Sequence, residues 1–272
     1  MFKNYQKNLN AKDVDKFMAL YSENYKSTEG YTKDKLREIA EDVLKNYPDI
    51  KYDIDVVSVN VEVDNATVIT QESLYASVDS NIQYIKGKGS FDAKSINIYY
   101  LKRFSNEWKI VSDFVVNEKS AIRYGFAKYV PMLLDAPALV TPEQEYTATL
   151  KINLPNDKYA AVVSIDKELS ASNIANKIHE TAPRGVKSSG ILERVLYSNN
   201  ENKNESVMAT IGIVKAKASN SGLENNIEVK AEIVGVALLS SRVNVMEPQK
   251  KIDIGYNISE NKDNNKESQE NE

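Results

Sequence analysis

The apolar residues of this chain change period at residue 51, and no other feature of the sequence limits its fold as tightly. Upstream, "NAKDVDKFMALY" sets Val14, Phe17, Met18 and Tyr21 at helical spacing, with Asn10 as the expected N-cap and Asp13 three residues on. "TKDKLREIAEDVLKNYP" carries a second stripe of Leu36, Ile39, Ala40, Val43, Leu44 and Tyr47, opened by Thr32 and stopped by Pro48. From residue 51 the period is two. "YDIDVVSVNVEV" alternates Tyr52, Ile54, Val56, then slips to Val57, Val59, Val61, Val63, a phase shift that predicts a bulge and a bent strand. The turn "DN" leads into "ATVITQESLYASV"; "FDAKSINIYYLKRF", "SNE" and "WKIVSDFVV" form the last hairpin. Two helices followed by a bent antiparallel meander make an α+β unit.

Those residues resemble a known family. "LNAKDVDKFMALYSENY", the second helix, and a meander closing on "NEWKIVSDF" are similar to the NTF2-like group, which includes SnoaL-like and ketosteroid-isomerase-like proteins of cystatin-like fold. The resemblance covers about residues 1–127. It implies a curved sheet wrapped on helices, with a cone for a small apolar ligand or an active site. It also implies a homodimer paired through the convex face of that sheet. Polar residues just after the "W-K-I-V" strand line the pocket in some members, which here points to Ser112 and Asp113. The fold hosts enzymes and plain binding modules alike.

The residues themselves assign Asp113 elsewhere. Strict alternation puts Trp108, Ile110, Ser112, Phe114 and Val116 on the inner face, and Lys109, Val111, Asp113 and Val115 on the outer one. A bulge would reverse that parity. Val111 and Val115, with the valines of 57–61, then predict a convex face covered by a second copy or by the rest of the chain. Tyrosines are the other pocket candidates. Tyr21 lies on the first helical stripe, Tyr25 one turn later, and of the neighbours Tyr99 and Tyr100 one must face inward. A phenol in an apolar cone can donate a hydrogen bond to a ligand carbonyl.

Other chemistry is thinly represented. Without cysteine there is no disulfide, thiolate nucleophile or cysteine metal site. The one histidine, His179, falls in the short helical pattern "SNIANKIHE" and reads as a solvated side chain. "GKG" at 87–89 reads as a flexible turn and "SIDK" at 164–167 as strand; Asp13/Asp15 and Asp53/Asp55 read as solvated charges, without a calcium loop. No metal and no cofactor are therefore expected. A net charge of −4 gives no pull toward nucleic acid, and no stretch is long enough for a membrane span. "MFKNYQKNLN" lacks the apolar core of an export signal, so the chain is expected to be cytoplasmic, or an envelope protein whose export segment precedes it.

Residues 128–145, with Pro131, Pro137 and Pro142, read as a connector, partly buried through Val130, Met132, Leu133 and Leu134. Residues 146–248 supply strands at regular spacing, read as an all-β, Ig-like sandwich that docks a protein partner. The joined arrangement looks like that of bacterial envelope proteins. Residues 249–272 read as a disordered tail. Of two readings, a non-enzymatic binding or assembly module is preferred over a SnoaL-like isomerase, cyclase or hydrolase. An inward-facing carboxylate–tyrosine pair would favour the enzyme.

Overall fold

Helices open the chain, three rather than two. The computed structural model describes residues 1–79, 85, 87–167, 184–187, 190–220 and 227–247. Helix α1, Phe2–Asn10, precedes both expected helices and buries Phe2, Tyr5 and Leu9, a one-faced spacing too short to stand out among polar neighbours. Asn10 is not a cap. Its side-chain amide instead brackets Tyr52, donating to the carbonyl at 2.9 Å and accepting from the N–H at 2.8 Å, which ties α1 to the sheet. Helix α2, Val14–Met18, is capped by Asp13, whose carboxylate accepts from the Lys16 N–H. Helix α3, Lys33–Asn46, starts at Thr32 as expected, with the Thr32 hydroxyl accepting from the Lys35 N–H.

A four-stranded antiparallel meander follows: β1 Lys51–Glu62, β2 Asn65–Val78, β3 Gly89–Phe104 and β4 Glu107–Gly125. Val57 is the extra residue of a bulge in β1, between the pairs Val56/Thr70 and Ser58/Ile69, where the phase shift of the sequence puts it. The bulge returns Val59 and Val61 to the face of Ile54, but α1 does not reach them, and Val57, Val59 and Val61 stay exposed. Gly89 of the "GKG" stretch opens β3 and packs against the Tyr124 ring, while Gly87 has the positive φ of a turn.

Strand β4 has two bulges of its own, at Val111 and Val116, each an extra residue opposite an unbroken β3. It also has no free edge. The segment after α2 runs beside its first half: Ile110 exchanges backbone bonds with Leu20 and Ser22, and Val111 and Asp113 accept from Lys26 and Thr28. Its second half, residues 119–125, pairs with β12, Ile227–Val245. Between the two, the buried Asn244 amide donates to the carbonyls of Val115 and Val116 and closes the gap.

Through β12 the meander joins a larger sheet. The order is β1-β2-β3-β4-β12-β11-β8-β9, with β8 Tyr159–Lys167, β9 Arg184–Lys187 and β11 Glu205–Asn220. The short β6, Leu139–Val140, pairs parallel to the end of β12. A second sheet, β10-β7-β5, comprises β5 Met132–Asp135, β7 Glu145–Ile152 and β10 Gly190–Tyr197. One apolar core fills the space between the sheets, with Leu134, Leu150 and Leu196 from the small one and Val163, Ile211 and Leu239 from the large. The stretch 128–145 is thus partly strand, and its Val130, Leu134 and Val140 are core residues. The apolar Val130 and Leu134 mark this stretch as partly buried, but a four-residue strand between prolines shows too little alternation to read.

The helix-bearing core is separate and contains nothing beyond Ile110: Phe2, Tyr5, Leu9, Phe17, Met18, Tyr21, Tyr25, Ile54, Ala66, Val68, Tyr99 and Leu101 complete it. Two cores therefore share one sheet, and β4 belongs to both, since Ala121 packs in the sandwich. No helix among the described residues is long and apolar enough to cross a membrane. The expected helix at 172–180 with His179, and the tail at 249–272, lie outside the described residues.

Candidate functional site

The bulges of β4 decide which side chains face the helices. In an antiparallel pair, directly opposed residues share a face. Ile110 opposes Leu101 on the inner, concave face, and the extra Val111 then inverts the alternation. Asp113 consequently opposes Tyr99, and Val115 opposes Asn97, all on the inner face, while Ser112, opposite Tyr100, and Phe114, opposite Ile98, point outward. The outward assignment of Asp113 from strict alternation is therefore reversed, and so are those of Ser112, Phe114 and Val115. Val115 therefore does not contribute to the convex face; Ile98 and Phe114 do, and they line an open pocket there with Val245.

Tyrosine and carboxylate meet twice on the concave face. The Tyr25 hydroxyl donates to Asp113 Oδ1 at 3.0 Å. The Tyr99 hydroxyl donates to Glu72 Oε1 at 2.7 Å, and the Thr70 hydroxyl donates to the same oxygen at 2.8 Å. Tyr5 lies 3.2 Å from Tyr99 and Tyr21 lies 3.3 Å from Tyr5. Because Tyr99 spends its one proton on Glu72, Tyr5 must donate to Tyr99, so the chain runs Tyr21, Tyr5, Tyr99, Glu72. Edge-to-face contacts hold the rings of Tyr5, Tyr21, Tyr25, Tyr99 and Phe17 against one another. Tyr100 is exposed on the outer face, and the Ser112 hydroxyl is bonded to the Lys26 carbonyl.

Glu118 is a third inner carboxylate, opposite Ser95 one bulge further along β4. Burial raises the pKa of Asp113 above the usual aspartate value, opposed by the Tyr25 hydrogen bond and reinforced by Glu72. Burial alone raises that of Glu118. Burial and the same carboxylates push the phenols up, Tyr52 to about 12, and Tyr25 and Tyr99 are raised above the ordinary tyrosine value. The phenols are therefore donors at neutral pH. Glu72, Asp113 and Glu118 are all half-buried; on helix α3, Leu36, Ala40 and Val43 are half-buried as well, and Tyr47, just past its end, stacks on Phe91 of the concave face. Among the described residues no group of three possible ligands could hold a metal ion.

The carboxylate pKa shifts carry a stability consequence. A carboxyl whose folded pKa is raised stabilises the fold below its ordinary pKa and loses that contribution as pH rises through the folded value. Glu118→Gln should accordingly raise the melting temperature at pH 7. It should also flatten the decline in stability between acid and neutral pH. Thermal melts at pH 4 and pH 7 check both, and a lower melting temperature at pH 7 would mean that Glu118 has a stabilising partner.

No family model and no curated protein matches the chain. Solved structures similar to part of it include NTF2-like proteins, over about 42% of the chain. A protein of Bdellovibrio bacteriovorus is 14% identical over 42% of this chain, which spans 37% of that protein, with a TM-score of 0.34. A hexachlorocyclohexane dehydrochlorinase is 10% identical, covering 42% of this chain and 79% of its own, with a TM-score of 0.34. An NTF2-like family member from Streptomyces avermitilis is 14% identical, covering 42% and 88%, with a TM-score of 0.32. Likenesses of this size fix neither family nor activity.

Proposed function

We propose that the concave face over β2, β3 and β4 is a small-molecule site in which Asp113 takes a proton from the bound compound and returns it. The observation that carries this reading is the inward Asp113, half-buried, raised in pKa and held by a phenol. A carboxylate with a raised pKa suits a base that must also give its proton back. The buried phenols stay protonated at neutral pH, so they are suited to stabilise negative charge that develops on a ligand oxygen. The reaction class is abstraction of an acidic C–H beside a carbonyl, as in an isomerisation or elimination. This is the enzyme reading, which an inward carboxylate–tyrosine pair favours. The non-catalytic binding module uses the same face and differs in leaving the proton where it is. The second unit, proposed to be Ig-like, serves as the scaffold that closes the edge of β4, with Glu29 paired to Arg242 across the junction.

Incubating the full chain in D2O with a panel of small ketones bearing acidic α-hydrogens tests the proposal. Exchange of those hydrogens above the buffer rate, followed by NMR, is expected for at least one apolar cyclic or aryl ketone. Binding without exchange across the panel would return the reading to a binding module.

A further inference from the structure

The outer face of the same sheet carries a cavity. It lies between β3, β4 and the edge strand β5, and has a volume of about 300 Å³, near the lower end for small-ligand sites. Its floor is cationic. Lys94 and Lys119 oppose each other directly across β3 and β4, an arrangement that costs stability unless something offsets the like charges. Arg123 lies four residues beyond Lys119 on the same face. Asp92 pairs with Arg123, and Asp135, reaching from β5, pairs with Lys119. Lys94 has no ion-pair partner among the described residues, so three cations face two carboxylates. The amides of Gln71 and Asn117 add donors to this side. The opposite wall is apolar, made by Met132, Leu133 and Leu134 of β5.

We infer that this groove binds a small organic carboxylate, its head on Lys94 between Lys119 and the two amides, and its apolar body along β5. One excess positive charge matches one carboxylate. The apolar wall requires a body that inorganic anions lack. The volume limits the body to a short chain or a single ring. The inference does not rest on the concave site, because the two lie on opposite faces of the sheet.

Octanoate is a suitable probe, titrated into the full chain with ¹H–¹⁵N NMR and calorimetry as readouts. Saturable binding is expected, with shifts at Lys94, Lys119 and Leu133, and affinity falling as salt rises. Lys94→Glu changes an exposed side chain and should weaken octanoate at least tenfold without lowering the melting temperature, since it also removes the repulsion from Lys119. Asp113→Asn should leave octanoate binding unchanged. The inference is overturned if octanoate does not bind, if Lys94→Glu leaves its affinity intact, or if inorganic phosphate binds as tightly.

Discussion

Asp113→Asn is expected to slow any α-hydrogen exchange catalysed by this protein by at least about 100-fold, within the range contributed by a positioned base. Asparagine keeps the shape and can still accept from Tyr25, so the concave face should stay packed and ligand affinity should change little. The loss should fall on the rate at saturation rather than on binding, as for a group acting only in the transition state. Tyr25→Phe gives the complementary result. Tyr25 stabilises the carboxylate form of Asp113, so its removal should raise the Asp113 pKa further and move the acid limb of the rate profile to higher pH. A structural hydrogen bond alone would alter stability in both variants and shift no pH profile. If Asp113→Asn exchanges α-hydrogens as fast as the wild type, Asp113 is not the base.

Gly235→Val is expected to destabilise the chain by about 3 kcal/mol or more, lowering the melting temperature by roughly 6–12 °C. Gly235 of β12 opposes Gly125 at the last pair of the β4–β12 ladder. A Cβ at 235 would lie 2.4 Å from the Ala127 nitrogen, backbone that cannot swing aside as a side chain can. Gly125 itself has φ 56° and ψ −134°, a conformation that a side chain strongly disfavours, and a Cβ there would meet the Val234 carbonyl at 2.5 Å. This is where the chain leaves the shared strand for the 3-10 turn Phe126–Tyr129, whose Ala127 is a buried residue of the sandwich core. A valine should force β12 away from β4 and open the sandwich there. The helix-bearing core, which ends at Ile110, should be affected less, so calorimetry is expected to show a broadened or split transition. A wild-type melting curve would mean that the two backbones do not approach this closely.

How much of this was legible in the sequence depended on how far apart in the chain the deciding contacts lie. The α+β order, the capped helix at 33–46 and the β1 bulge follow from local spacing, because Thr32 caps its own helix and the valine run changes phase within one strand. Tyr21 and Tyr25 were readable as pocket candidates from the first helical stripe, and one of Tyr99 and Tyr100 had to face inward, but the local pattern did not say which. Helix α1 could have been found from Phe2, Tyr5 and Leu9, a seven-residue spacing on one face. Glu72 and Glu118 gave no signal, since a carboxylate in an alternating strand reads as solvent-facing. Asp113 could not be placed by pattern at all. "IVSDFVV" is apolar in both phases, so nothing in it marks Val111 or Val116 as the extra residue; that is decided by β3, whose own alternation runs unbroken opposite the two bulges of β4. Local periodicity thus determined the elements and their caps. Pairing between distant strands decided the face of Asp113, the length of β4 and its union with β12, because a ladder hydrogen bond records a partner that a strand's own residues do not name.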